Sequence, residues 1–227
     1  MDKVLVTGAS SGLGLESALY LTKKGYVVFG TSRNPNNFKK SIPFRLIKLE
    51  ITDLTSIEAC LSKVLSLSGK IDVLINNAGV AWTGDLLSMP FEKWEWIMQM
   101  NLTSIFQVCS EVVPLMRKKG GLVINVSSHA SRNVFPQWGA YCVSKAALAS
   151  FTKCLAEEER KNFIRACTLT LGSVNSSLWD SDSVGMQFDR DSMLSVDQVA
   201  VELLHLASQP TNQIIEDVTL MPSAGAF

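Results

Sequence analysis

The chain has 227 residues, 47% hydrophobic and 19% charged, enough for one substantial core and short for two. Its 21 Lys and Arg balance 21 Asp and Glu, so no global charge argues for nucleic acid or an anionic membrane as partner. No apolar run reaches the length needed to cross a bilayer, and the opening MDKVLVTGAS starts on a strand-like run instead of a cleavable apolar segment. A cytoplasmic protein is expected. The five scattered cysteines, with no CxxC pair, suit reduced thiols. His129 and His205 stand apart without clustered acids or thiols; both read as ordinary polar positions, and no metal is expected.

Short apolar runs alternate with helix-length segments from end to end, at residues 4–6, 27–29, 46–49, 73–75, 122–126, 166–171 and 214–220. Continuous β-branched runs of this kind suit parallel strands buried on both faces. The alternation predicts an α/β protein: a single doubly wound domain over 1–227, with a sheet of about seven parallel strands between helices. Thr55 with Glu58, and Ser195 with Gln198, read as capping boxes. Residues 157–161, EEERK, read as a solvated helix end. Residues 172–194 lack periodicity, and a loop of that length is usually functional; it reads as a substrate-side flap.

The first run ends in Thr7-Gly8-Ala9-Ser10-Ser11-Gly12-Leu13-Gly14. A glycine-rich loop between strand and helix lets the backbone approach a pyrophosphate and aims the helix's unpaired N–H groups at it. The plain alternative is a flexible turn. The second run ends in Thr31-Ser32-Arg33, with no acid of the kind that binds the ribose 2′-OH of NAD. Arg33 offers a forked donor that suits a 2′-phosphate, so NADP(H) is expected and NAD(H) is left open. In Tyr141-Cys142-Val143-Ser144-Lys145, a helix would put phenol and ammonium on one face, one turn apart. An ammonium ~4 Å from a phenolate is worth ~4 kcal/mol at an effective dielectric near 20. That would lower a phenol pKa of about 10 by at most about three units. The pentapeptide alone does not separate a helix face from a proton donor.

Read together, TGxxxGxG, Asn76-Asn77-Ala78-Gly79, Asn101, Ser128 and YxxxK at Tyr141 resemble the short-chain dehydrogenase/reductases. The resemblance implies cofactor contacts at Thr7, Gly8, Ser10, Ser11, Gly12, Leu13 and Gly14, and places Ser32 at the family's acidic position with Arg33 after it. It places Glu50 where the family has an adenine-contacting Asp, followed by Ile51, with Asp53 as a nearby contributor. Asn77, Ala78 and Gly79 would lie beside the cofactor ribose. It implies Tyr141 as general acid toward a carbonyl, or base toward the alcohol. Ser128, thirteen residues earlier, would polarise the same oxygen. Lys145 would bond the nicotinamide ribose, and Asn101 would hold a water in a proton relay to it. Residues 171–176 resemble the PGxVxT segment that holds the nicotinamide carboxamide, through Gly172, Val174 and Ser176; Leu171 replaces the proline and Ser176 the threonine.

The expected activity is hydride transfer between NADP(H) and a small-molecule carbonyl or alcohol. A non-catalytic NADP-binding sensor or scaffold is the second reading, and it predicts a damaged catalytic set. Trp82, Phe135, Trp138 and Trp179 fall on segments expected to border the substrate cleft, which points to an apolar or aromatic carbonyl; residues 217–222 resemble family members that act on small 3-oxo or 3-hydroxy acids, so that class stays open. Phe91, Trp94 and Trp96 read as core or interface residues. By resemblance, the helix around Asn101 and the helix of Tyr141 would build a homodimer or homotetramer.

Overall fold

The apolar runs become strands β1 (Lys3–Val6), β2 (Val27–Ser32), β3 (Arg45–Lys48), β4 (Val73–Asn76), β5 (Gly121–Ser128), β6 (Ile164–Leu171) and β7 (Asp217–Leu220). The structure, a computed structural model, describes residues 1–185 and 189–225. The strands form one sheet in the order β3-β2-β1-β4-β5-β6-β7, with every pairing parallel. Successive side chains leave opposite faces of a strand. Thus Val4 and Val6 join one core and Leu5 the other, which is why the run has no polar gaps.

Helices α1 (Gly12–Lys23) and α6 (Val196–Ala207) cover the first face, through Leu15, Leu21, Val199 and Leu203. Helices α2 (Leu54–Ser68), α4 (Ser104–Met116) and α5 (Gly139–Glu159) cover the second, through Ile57, Val64, Ile105, Val112 and Leu148. Helix α3 (Phe91–Met98) runs into α4 through a π-helical turn, Gln99–Thr103.

Three local details depart from expectation. The capping box at Thr55 does not form: α2 starts two residues earlier than that box requires, and Asp53 caps it by accepting from Thr55 N at 2.9 Å. A short carboxylate at the N-cap reaches this N–H directly. The box at Ser195 and Gln198 does form. Strand β7 starts at Asp217, so residues 214–216 of the expected run lie outside it; just before them, Arg165 Nη1 donates to the carbonyls of Pro210 and Gln213, at 3.1 Å each. The 157–161 segment is not uniformly solvated. Glu159 is buried, receives Arg117 Nε at 2.9 Å and Asn162 Nδ2 at 2.8 Å, and these donors hold its carboxyl below the usual range.

The chain leaves β1 toward β2 on one side and β4 toward β5 on the other. Crossovers from the two neighbours therefore diverge, and the crevice opens at their carboxyl ends, where doubly wound sheets take ligands.

Candidate active site

A cavity of about 570 Å³ runs along that carboxyl edge. Its floor is the glycine loop, with Gly8, Ser10, Ser11, Gly12, Leu13 and Gly14 on the wall. Gly8 has φ +69°, a left-handed value. A Cβ on Gly14 would stand 2.2 Å from Gly8 O and 2.5 Å from Asn77 Nδ2, so only glycine lets the helix start this close to the loop. Ser11 is the N-cap of α1 and makes no side-chain cap bond, so the first N–H groups of the helix are left for an anion. Thr7 lies behind the wall, fully buried. Its hydroxyl accepts from Asn77 N at 3.0 Å and Ala78 N at 3.1 Å, and so locks β4's end to β1's. Asn77, Ala78 and Gly79 line the cavity.

At the end of β2, Thr31, Ser32 and Arg33 line the far end. Arg33 is solvent-exposed, and among the described residues no ion pair engages it. Past β3, Leu49 and Ile51 form the wall, whereas Glu50 is not on it. The Glu50 carboxylate instead accepts from Thr52 Oγ1 at 3.0 Å, and Asp53 is engaged as the α2 cap. No Asp or Glu lines the cavity among the described residues, while Arg33 and Lys145 do. That lining and the Gly14 cradle fit a large anionic dinucleotide. Among the described residues no cluster of His, Cys, Asp and Glu is placed to hold a metal ion.

β5 ends in Ser128, whose Oγ accepts from Ala130 N at 3.2 Å and caps a 3₁₀ turn, His129–Ser131. Tyr141 and Lys145 lie one turn apart on α5, both buried and both on the wall. Lys145 Nζ donates to Val126 O at 3.0 Å and lies 5.8 Å from the centre of the Tyr141 ring. The lowered phenol pKa expected from this pair is absent. Burial pushes Tyr141 up to about 12, with the Ser128 hydroxyl pulling the other way, and burial pushes Lys145 down to about 8. Desolvation penalises the charged form of each group, and it is the leading cause of both shifts.

Asn101 sits in the π turn, fully buried and behind the wall. Its Oδ1 accepts from Val80 N at 2.8 Å, and its Nδ2 donates to Val80 O at 2.9 Å and Ser144 Oγ at 3.1 Å. Gly79 is adjacent, because a Cβ there would meet Asn101 Oδ1 at 3.2 Å and Lys145 Nζ at 3.6 Å. Asn101 thus fastens the loop after β4 to the helix of Tyr141 and Lys145.

After β6, Gly172, Val174 and Ser176 reach the wall, together with Leu171, Ser173 and Ser177. Ser177 Oγ comes within 3.2 Å of where a Gly12 Cβ would be, so this segment closes over the glycine loop. The expected flap is ordered where described. Arg190 donates to Asn175 Oδ1 at 2.9 Å, Ser176 O at 2.9 Å and Asp180 Oδ1 at 3.1 Å, and Ser183 Oγ donates to Ala81 O at 2.7 Å. Its residues 186–188 lie outside the described residues.

Three of the four expected aromatics line the cavity: Phe135, Trp138 and Trp179. Trp82 does not; a Cβ on Gly84 would strike its ring. Trp96, read from sequence as core or interface, lines the wall with Met100, and so does His129. A helix surface gives no signal for which turn faces a cavity, so sequence had no means of finding these. Trp138 is edge-on to Tyr141 at 5.4 Å and to Trp179 at 5.7 Å, so the phenol faces an aromatic lobe.

A parallel sheet with an uncapped helix N-terminus at its switch point, and a buried Tyr–Lys pair with Ser128 beside it, defines a dinucleotide-binding oxidoreductase. The short chain dehydrogenase family model matches residues 2–185. The chain is 33% identical over 182 residues to the 3-ketodihydrosphingosine reductase of Bacteroides thetaiotaomicron, covering 80% of this chain and 67% of that protein. It is 34% identical over 160 residues to the 3-oxoacyl-(acyl-carrier-protein) reductase FabG of Haemophilus influenzae, covering 68% of this chain and 66% of that protein. The matched portion therefore spans about two thirds of each relative. The fold superimposes with a TM-score of 0.89 on 3-ketoacyl-(acyl-carrier-protein) reductase from Brucella melitensis complexed with NADH, at 23% identity, over 98% of this chain and 97% of that one. The chain belongs to the short-chain dehydrogenase/reductase family, and is an oxidoreductase with a nicotinamide-cofactor site.

Proposed function

We propose that the protein is an NADP(H)-dependent carbonyl reductase acting on a small apolar or aromatic ketone. The observation that carries this reading is the buried Tyr141, with the Ser128 hydroxyl against it and Lys145 one turn below, on the wall of the glycine-loop cavity. When bound, the reduced nicotinamide supplies the hydride. The chain's own residues handle the oxygen. Ser128 donates to the substrate carbonyl and polarises it. Tyr141, with its pKa near 12, enters protonated and delivers that proton as charge builds on the oxygen, yielding the alcohol. Lys145 holds the tyrosine side and offers N–H groups to the cofactor ribose, and Asn101 positions Lys145 through Ser144 and Gly79.

Arg33 at the far end of a wall without carboxylates supports a 2′-phosphate, hence NADP(H) over NAD(H). The ring chain Tyr141–Trp138–Trp179 supports an apolar or aromatic substrate. We read residues 1–227 as one catalytic domain, with 172–194 as its substrate-side flap, working in the cytoplasm. The exposed apolar residues Phe106 on α4 and Val143 on α5 support association of copies through these helices. The intact catalytic set speaks against the sensor or scaffold reading.

The test is NADPH oxidation, followed by absorbance, over a panel of aromatic, aliphatic and polar ketones. Tyr141→Phe should lower kcat/KM by about 10²–10⁴-fold, the usual contribution of a positioned acid, while NADPH still binds. Tight NADPH binding with no turnover on any ketone would return the protein to the sensor class.

A further inference from the structure

Charge on this chain is balanced in total but not in place. Between Glu16 and Glu50 the sequence carries seven Lys and Arg and no Asp or Glu. We propose that five of them, Arg33, Lys39, Lys40, Arg45 and Lys48, form a positive rim that steers the anionic dinucleotide into its cavity, all but Arg33 without lining it. The proposal rests on the NADP(H) reading and names how the cofactor is captured.

The five are exposed, and every ion pair among the described residues lies outside the segment. Two observations place the rim at the cofactor mouth. Strand β3 is the sheet edge, and Lys48 stands in register with Ser32 and precedes Leu49, both on the cavity wall beside Arg33. The loop bearing Lys39 and Lys40 is pinned near the glycine loop. Phe38 and Ile42 pack on the same core as Ala9 and Phe44, and a Cβ on Gly30 would stand 2.7 Å from both Ala9 and Phe44.

Edge protection is the plain alternative, since charges on an edge strand discourage pairing with another chain. It accounts for Arg45 and Lys48 but not for the cations off the strand. A bilayer or stacked bases would want an apolar or aromatic anchor, and none of the exposed large hydrophobic residues falls within 17–49. A small anion needs only the field. Cations around a cleft whose described wall holds no carboxylate raise the local concentration of an anion and its rate of association. The 2′-phosphate gives NADPH about two more negative charges than NADH, so NADPH feels the rim more strongly.

The experiment follows association of NADPH and NADH with the full chain by stopped flow, read as energy transfer from Trp96 and Trp138 on the wall. Lys39→Gln with Lys40→Gln is compared with Lys23→Gln with Lys24→Gln, an equal charge change at the far end of α1. That end is about 16 Å of helix from the glycine loop, roughly two Debye lengths at physiological ionic strength. The rim variant should bind NADPH about 3–10-fold more slowly at low salt, and NADH less so. The dissociation rate should hold, and the difference should vanish near about 0.5 M salt. An unchanged association rate in the rim variant, or equal slowing in the far variant, overturns the rim and leaves Arg33 in its role. Loss of binding to phosphatidylserine vesicles in the rim variant, with the NADPH rate unchanged, overturns it in favour of a membrane surface. If Arg33→Ala also leaves NADPH affinity unaltered, the NADP(H) reading falls with it.

Discussion

The electrostatic state of the site is decided at two side chains, Tyr141 and Lys145. Lys145 falls to about 8 from its ordinary 10.5, so between those values the folded chain binds fewer protons than the unfolded one. The cost of the buried ammonium is complete below pH 8 and vanishes as pH rises through 10.5. Tyr141, raised from 10.0 to about 12, acts in the opposite sense: its contribution is full below pH 10 and is lost as pH rises toward 12. Lys145→Met should therefore gain stability relative to wild type at pH 7. That advantage should shrink by on the order of 2–3 kcal/mol by pH 10, as read by urea unfolding at both pH values. At the other end of the cavity, Arg33→Ala should weaken NADPH binding about 10–100-fold, the worth of a charge-assisted fork. NADH affinity should change little, and cofactor fluorescence titration checks both. Residue types and order made these positions legible in the chain. The direction of the Tyr141 shift was not legible, because it depends on how deeply the ring is buried.

Elements carry these residues through their ends. Helix α1 begins with nothing on its cap, which is what a pyrophosphate site needs, whereas α2 begins with Asp53 on its cap. Asp53→Ala should lower the unfolding free energy by about 1 kcal/mol, the usual value of a cap, with kcat/KM unaltered; denaturant unfolding and the NADPH assay together check this. The π turn before α4 is the other decisive end. A π turn adds a residue to the helix and often marks a functional position. Here it points the Asn101 amide inward, to Val80 and Ser144. An asparagine within a helix was visible in the chain, but the turn that aims it was not, because no residue pattern encodes i→i+5 bonding.

Across the whole molecule, sheet order places the chemistry. Thr7, Asn77, Ser128 and Leu171 follow or end β1, β4, β5 and β6, which are neighbours in space though far apart in sequence. Copies should meet on the α4–α5 face, where Phe106 is 55% exposed yet stacked edge-on to Phe151 at 6.3 Å. Burying such a patch favours association. Phe106→Glu should shift the mass seen by light scattering toward a single chain while the circular dichroism of the fold is kept.

The alternation of apolar runs and helix segments determined by itself that the sheet is parallel and doubly wound, because period and burial are local properties of a chain. The glycine loop, Arg33 and the YxxxK spacing were visible as local patterns, while the grouping of Ser128 with Tyr141 and Lys145 came from the family resemblance. Only the tertiary structure decided that Trp96 and His129 line the cavity while Trp82 and Glu50 do not, that Glu159 is buried against Arg117, and that desolvation raises Tyr141. Each of those depends on what segments distant in sequence bring within a few ångströms, and on how much water they exclude.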